Sequence, residues 1–226
     1  MNGEKRNSRI IISGAGTGGH LFPAISVANA IRRREPASEI LFVGAEGRME
    51  MTKVPEAGYN IEGLPVAGFM RSLSPKNILV GFKLMKSLIK ARNIIRHFRP
   101  DVVVGVGGYA SGPVVKQAQR MGIPTLIQEQ NSYAGVTNRL LAKKAARICV
   151  AYDGMERYFP KDKIIKTGNP VRHTFDNLVK LRDEAFGFFG LDHSMPVILV
   201  LGGSLGAGTI NNSIGGGIGR VEAAGV

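Results

Sequence analysis

The 226-residue sequence contains one cysteine, Cys149, and no tryptophan. A single cysteine excludes an internal disulfide framework and any metal site built from several thiolates, and it fits a reducing compartment. Long apolar runs are missing as well. A bilayer span needs about 18 consecutive apolar residues, and the richest stretches here, such as residues 196–201, are far shorter. The polar, basic start of the chain meets only Ile10, Ile11 and Ile12 before serine and glycine intervene, so no signal peptide is expected. Acidic residues are scarce: 17 Asp and Glu stand against 30 Lys and Arg, a net charge of +13. That surplus points to an anionic partner, whether nucleic acid, nucleotide, phospholipid or phosphorylated substrate.

Core-forming residues are not lacking. Hydrophobic residues make up 44% and charged residues 21%, which excludes disorder, collagen-like repeats and coiled coil. The length suits one large domain or one and a half. Glycine is over-represented, at 30 residues where average usage gives about 16. The glycines cluster behind apolar, β-branched runs. Ile10-Ile-Ile12 leads into Gly14-Ala-Gly-Thr-Gly-Gly19, Val102-Val-Val104 into Gly107-Gly-Tyr-Ala-Ser-Gly112, and residues 196–201 into Gly202-Gly-Ser-Leu-Gly206. Short runs at 39–43, 125–128, 147–151 and 163–166 read as further strands, and 24–34, 114–121, 135–144 and 176–185 as helices. Alternating strands and helices predict an α/β fold, a doubly wound parallel sheet with strands buried on both faces. Asn169-Pro170 marks a break between a first domain, 1–168, and a second, 169–226. The second would have one strand, one helix start and eight glycines between 202 and 219. It cannot bury a core of its own, so most of a second domain is expected to lie beyond this chain.

Gly14-Ala-Gly-Thr-Gly-Gly19 fits G-x-G-x-x-G between a strand and a helix beginning near Phe22. Glycines allow a phosphate close to the backbone, and the first free N–H groups of the helix stabilise its charge. A dinucleotide site would also place an acid at the end of the second strand, but Ile40-Leu-Phe-Val43 runs into Gly44-Ala45. A tight strand–helix turn without a ligand is the plain alternative. His20 follows at the mouth of this loop, where the carboxyl ends of parallel strands form a crevice. It is placed either to accept a proton from a hydroxyl or to make a helix-start hydrogen bond. His97, His173 and His193 have no metal-ligand spacing and read as surface or structural residues.

Between Met70 and Pro100 lie eight basic residues and no acid. At 100° per residue, Leu84, Leu88, Ala91, Ile95 and Phe98 form one apolar stripe and Ile78, Phe82, Met85 and Ile89 another. The second, flanked by Lys86, Arg92 and Arg96, resembles a surface that inserts shallowly among anionic head groups. Burial of both stripes is the alternative. Nucleic acid is not expected, since neither an aromatic stacking platform nor a helix-turn-helix pattern is present.

In order along the chain stand Gly14-Ala-Gly-Thr-Gly-Gly-His-Leu-Phe-Pro23, Gly105-Val-Gly-Gly-Tyr-Ala-Ser-Gly-Pro113, Gln128-Glu-Gln-Asn131, Thr167-Gly-Asn-Pro-Val-Arg172 and Gly202-Gly-Ser-Leu-Gly-Ala207. Together they closely resemble the MurG-type N-acetylglucosaminyltransferases of bacterial peptidoglycan synthesis. The resemblance implies a two-domain GT-B fold of Rossmann-like domains. It implies an inverting transfer of N-acetylglucosamine from UDP-N-acetylglucosamine to undecaprenyl-pyrophosphoryl-muramoyl-pentapeptide, at the cytoplasmic face of the bacterial inner membrane, with anionic phospholipid as a further partner. The family's donor contacts fall on Thr17, Gly18, Gly19, Asn131, Arg172 and Ser204. Its acceptor-pyrophosphate cradle falls on Gly16, Gly107, Gly108, Tyr109 and Ser111, and its proposed catalytic histidine on His20. No cofactor and no metal are expected, because Arg172 and loop amides neutralise the departing diphosphate. The family's uracil and ribose contacts would lie past residue 226, and Gly215-Gly-Gly217 is unlike the helix expected after Asn212. The rival expectation is a non-catalytic fragment that binds lipid-linked pyrophosphate or membrane. A nicotinamide-dependent oxidoreductase is supported only by G-x-G-x-x-G.

Overall fold

The computed structural model describes residues 7–14, 16–66, 76–171, 181–202 and 207–223, without the side chains of 76–80, 221 and 222. The chain divides into two compact units, Met1–Arg172 and His173–Val226.

In the first unit, β1 (Arg9–Ser13), β2 (Glu39–Ala45), β3 (Asn60–Leu64), β4 (Val102–Gly105), β5 (Thr125–Glu129), β6 (Arg147–Val150) and β7 (Ile164–Lys166) form one parallel sheet in the order β3-β2-β1-β4-β5-β6-β7. Between them run α1 (Gly18–Arg34), α2 (Glu50–Glu56), α3 (Lys76–Phe98), α4 (Ser111–Arg120) and α5 (Val136–Ala142). Register aligns Ile11 with Leu41 on one side and Val103 on the other. These three side chains join Ile127 and Ile148 in a core covered by Ala91, Ile94 and Ile95 of α3, Val114 and Val115 of α4 and Leu141 of α5. Ile10, Ile12, Phe42 and Val104 point the other way, against Leu21, Ala24 and Ala28 of α1 and Val54 of α2. Successive residues of each strand face opposite layers, and both layers are helical. The central strands are therefore apolar at every position rather than at alternate ones.

The doubly wound parallel sheet is as expected, with three local differences. β3 and α2 escape a pattern reading because Asn60-Ile-Glu-Gly-Leu64 is apolar at only two of five positions and α2 is seven residues long with Pro55 inside it. Helix α1 begins at Gly18 rather than near Phe22; two glycines and Pro23 argue against helix locally, and packing of Leu21, Ala24 and Ala28 on the sheet overrides them. Helix α5 is shorter at both ends than its apolar pattern.

The second unit contains α6 (Arg182–Phe189) and α7 (Gly208–Ala223). Residues 196–201 do not form the expected strand. A strand exists through its ladder partner, and among the described residues none pairs with them; Leu199 is 76% exposed. The expected helix at 176–185 falls partly outside the described residues, and α6 lies toward its C-terminal side. Contrary to expectation, α7 runs through Gly215-Gly216-Gly217, and Ile210, Ile214 and Ile218 recur along it at one-turn spacing.

This difference between the units predicts opposite mutational responses. Ile11→Ala, at a fully buried site, lowers stability by about 2–5 kcal/mol. Leu199→Ala changes it by no more than about 0.5 kcal/mol. Urea denaturation followed by circular dichroism measures both, and a large loss for Leu199→Ala would mean that residues 196–201 are packed.

Candidate functional site

The chain winds outward in both directions from β1 and β4, so the loops leaving their carboxyl ends diverge and leave a crevice between them. The two glycine-rich loops border it. Their backbones approach so closely that a Cβ on Gly14 would stand 2.2 Å from Val106 Cγ2 and 2.8 Å from Gly107 O. The Val106 amide donates to Ser13 O at 2.9 Å, which continues the β1–β4 ladder into the loops. Gly107, at φ +95°, then turns the second loop away.

Helices α1 and α4 begin at this edge, each without an acid in its first turn. Intrahelical bonding in α1 starts with the His20 and Leu21 amides, both donating to Thr17 O at 3.1 Å. The Gly18 and Gly19 amides precede those bonds and face outward from the helix end. Two positive helix ends beside glycine backbone make a site for a phosphate-like anion.

His20 is half-buried between the loops. Its Nδ1 lies 3.2 Å from Thr17 Oγ1, and its other edge lies along Gly107, where a Cβ would meet Cδ2 at 2.7 Å and Nε2 at 2.9 Å. Only glycine therefore fits at 107, on both conformational and steric grounds. Burial holds the imidazole below its ordinary pKa, and the Glu129 carboxylate offsets part of that shift. In the tautomer whose Nδ1–H donates to Thr17 Oγ1, Nε2 keeps its lone pair, the arrangement a general base requires.

Glu129, which the sequence motifs did not single out, ends β5 and is almost fully buried. Its Oε1 accepts from the Asn131 amide at 3.1 Å and Asn131 Nδ2 at 3.2 Å; its Oε2 accepts from the Gly135 amide at 2.9 Å and Asn138 Nδ2 at 3.0 Å. Four donors thus fix the β5–α5 loop around one carboxylate. Asn138 Nδ2 would also stand 3.7 Å from a Cβ at Gly107, which joins this loop to the crevice. Gln130 Nε2 donates to Val106 O at 2.9 Å and ties it to the second loop. The available signal was an acid at the end of a strand buried on both faces, where charge needs a dedicated set of partners.

The structure brings Thr17, Gly18, Gly19, His20, Gly107 and Gly108 to the β1–β4 edge. Gly16 is exposed there at φ +106°, and Tyr109 is exposed on the second loop. Ser111 is fully buried, and its hydroxyl donates to Gly108 O at 3.1 Å, so that side chain braces the loop. Asn131 lies on the neighbouring β5–α5 loop. Arg172, Ser204 and His173 lie outside the described residues. His97 is exposed, and His193 stacks on Phe186. Away from the crevice, a cavity lined by Asn7, Arg9, Glu39, Arg96, His97 and Arg99 opens at the amino edge of the sheet. Its Arg9 is engaged by Glu39 at 2.6 Å and by Phe98 O at 2.7 Å.

On α3, Phe82, Met85 and Ile89 are 66%, 58% and 56% exposed, and Lys86, Arg92 and Arg96 are exposed beside them. Burial of both stripes is thereby corrected: Ala91 and Ile95 face the core, with Leu88 and Phe98 partly covered, while Leu84 is 38% exposed. The Ile78 side chain lies outside the description. Among the described residues, no helix is long and apolar enough to cross a membrane, and no group of three or more His, Cys, Asp or Glu is placed to hold a metal.

The glycosyltransferase family 28 N-terminal domain matches residues 10–150. A UDP-N-acetylglucosamine--N-acetylmuramyl-(pentapeptide) pyrophosphoryl-undecaprenol N-acetylglucosamine transferase of Phocaeicola vulgatus is 65% identical over 221 residues, covering 98% of this chain and 59% of the relative. A protein of the same name from Cytophaga hutchinsonii is 55% identical, covering 99% of this chain and 60% of its own length. The chain thus spans about three-fifths of these relatives. The crystal structure of Acinetobacter baumannii MurG is 30% identical with a TM-score of 0.60, covering 75% of this chain and 47% of that one. A UDP-GlcNAc 2-epimerase from Neisseria meningitidis, 14% identical with a TM-score of 0.55 over 80% of this chain and 52% of its own, shares the fold alone. The family match covers both glycine loops, His20 and the Glu129 cluster, and the chain belongs to glycosyltransferase family 28 through its N-terminal domain.

Proposed function

We propose that this chain is the acceptor-binding half of an inverting N-acetylglucosaminyltransferase. The whole protein moves N-acetylglucosamine from UDP-N-acetylglucosamine to undecaprenyl-pyrophosphoryl-muramoyl-pentapeptide. The observation that carries the reading is the crevice itself, where two glycine loops and two acid-free helix N-termini converge on a half-buried histidine. Gly16, Gly107, Gly108, Tyr109 and the start of α4 at Ser111 cradle the acceptor pyrophosphate. Thr17, Gly18, Gly19, Asn131, Arg172 and Ser204 meet the donor. The acceptor hydroxyl attacks C1 of N-acetylglucosamine, the bond from C1 to the UDP oxygen breaks with inversion, and the hydroxyl proton passes to His20 Nε2. The exposed Phe82, Met85 and Ile89, with Ile78 in the same stripe and Lys86, Arg92 and Arg96 at the rim, rest on anionic phospholipid at the cytoplasmic face of the inner membrane. The protein is peripheral there, and the stripe brings the crevice to a substrate whose lipid stays in the bilayer.

The phosphate role is tested on the chain itself. Among the described residues, a Cβ on Gly19 would have only Thr17 Oγ1 nearby, at 3.8 Å, so Gly19→Val is expected to be tolerated by the fold but to crowd the outward amides. Calorimetry with inorganic pyrophosphate, which reads the loop amides whichever substrate's phosphates they meet, is expected to show binding by the parent and at least about ten-fold weaker binding by Gly19→Val. Equal affinity in the folded variant contradicts the assignment.

The base is tested in a chimera that joins residues 1–226 to the remaining length of the Phocaeicola vulgatus relative. His20→Ala lowers turnover by about 100-fold or more. Because burial lowers the imidazole pKa from its usual 6.5, the neutral form predominates at pH 7 and rate falls as pH drops through that lowered value. The acidic limb of the pH–rate profile disappears in His20→Ala. An unchanged limb and near-normal turnover assign the histidine to structure alone.

A further inference from the structure

Val106 joins the two glycine loops to the loop between β5 and α5. Its amide donates to Ser13 O at 2.9 Å, at the end of β1, and its carbonyl accepts from Gln130 Nε2 at 2.9 Å, just beyond the end of β5. Both polar groups of its backbone are thus committed, and its side chain is fully buried in the core beneath α1. Gly107, the next residue, is the one whose backbone lies along the Nε2 edge of His20. A displacement of the Val106 carbonyl therefore moves the wall on which the imidazole rests, and the Gln130 amide is the donor that holds that carbonyl.

Hydrogen-bond valence fixes how this amide is turned. A carbonyl can only accept, so Gln130 presents Nε2 to Val106 O rather than Oε1. The second N–H of Nε2 goes to Gln128 Oε1, which turns the Gln128 amide as well. One donor, Gln128 Nε2, and one acceptor, Gln130 Oε1, are then left buried, and among the described residues neither has a hydrogen-bond partner. Protein interiors pair nearly all such groups, and apolar side chains at these two positions would leave neither atom unmet. The bond to Val106 is what this arrangement secures. Leu126 packs toward α1 and Ile127 toward the opposite layer, so alternation along β5 puts Gln128 on the side of the sheet from which His20 arises.

We infer that Gln130 is a positioning residue for the transfer: its amide holds the Val106 carbonyl and so sets the Gly107 backbone that keeps His20 half-buried with Nε2 toward the crevice. The inference rests on the proposed role of His20 as base and names the group that places it. Gln130 acts through the peptide between Val106 and Gly107 rather than on the reacting atoms. Its neighbour Glu129 acts differently, because the carboxylate charge reaches the ring and offsets part of the effect of burial. That carboxylate is held by Asn131, Gly135 and Asn138. Loss of the Gln130 amide leaves those donors in place, so it loosens the wall around the imidazole without removing the charge. A ring that becomes better solvated titrates closer to its usual 6.5.

Nuclear magnetic resonance of the 226-residue chain reads the His20 ring without requiring turnover. In Gln130→Met, which keeps the reach of the side chain but has no N–H, the His20 titration midpoint is expected to rise toward 6.5. Gln130→Asn, whose amide is drawn back by one methylene, is expected to move it in the same direction and serves if Gln130→Met does not fold. Gln119→Met is the control. Gln119 Nε2 donates to Leu141 O at 2.9 Å and to Thr125 Oγ1 at 3.2 Å, near the amino edge of the sheet, so its loss removes similar bonds and is expected to leave the His20 midpoint at the parent value. In the chimera with the Phocaeicola vulgatus relative, Gln130→Met is expected to lower kcat by about ten-fold while KM for UDP-N-acetylglucosamine stays within about two-fold. A His20 midpoint that stays put in both Gln130 variants overturns the inference, and so does an equal rise in Gln119→Met, which would mean general loosening. Normal kcat for Gln130→Met beside a His20→Ala variant that has lost turnover overturns this inference alone. Near-normal turnover of His20→Ala overturns the base reading and this inference with it.

Discussion

The absence of a side chain at Gly14 controls the site. With no Cβ there, the loops leaving β1 and β4 come into backbone contact, and the second loop reaches Gly107 with only enough room for the edge of His20. Those contacts place the starts of α1 and α4 on one crevice and bury the imidazole between them. A methyl group at Gly14 would overlap Val106, separate the loops and uncouple the histidine from the helix ends. The helix ends proposed to bind phosphate and the histidine proposed as base thus share one packing constraint rather than several independent ones.

Electrostatics follows from the same arrangement. The crevice is positive through backbone amides and helix ends, without a lysine or arginine from loops 14–19 or 105–110. Glu129 stands behind it with its oxygens occupied by Asn131, Gly135 and Asn138, so its charge orders the third loop and partly restores the basicity that burial takes from His20. Exposed lysines and arginines lie instead on the helices, on α3, α4 and α5 of one layer and at the end of α1 on the other. The proposed diphosphate site and the exposed apolar stripe of α3 with its basic rim fall on separate parts of the first unit.

Much of this was legible in the sequence because parallel strands buried on both faces are continuous apolar runs, and because glycines behind such runs mark loops where backbone must come close. The second glycine loop and His20 were readable on those grounds. Glu129 lies within Gln128-Glu-Gln-Asn131, but its role is not legible there, since its four donors meet only after β5, the loop and α5 have packed. The α3 wheel gives two apolar stripes, and the basic residues flanking the second mark it as the outward one; Ala91 and Ile95 of the first lie against the sheet. Residues 196–201 have the composition of a central strand, but composition cannot supply a ladder partner. Helix α7 errs in the other direction: glycine propensity argues against it, while the isoleucines at one-turn spacing favour it.

The central claim is that backbone amides at the β1–β4 edge are the anion site. Titration of the ¹⁵N-labelled chain with inorganic pyrophosphate, followed by two-dimensional NMR, tests it at individual groups. Saturable shifts are expected at the Gly18, Gly19 and Gly108 amides, together with the His20 ring. Shifts confined to the arginine-lined cavity at the amino edge, around Arg9, Arg96 and Arg99, with the crevice amides unmoved, would contradict it.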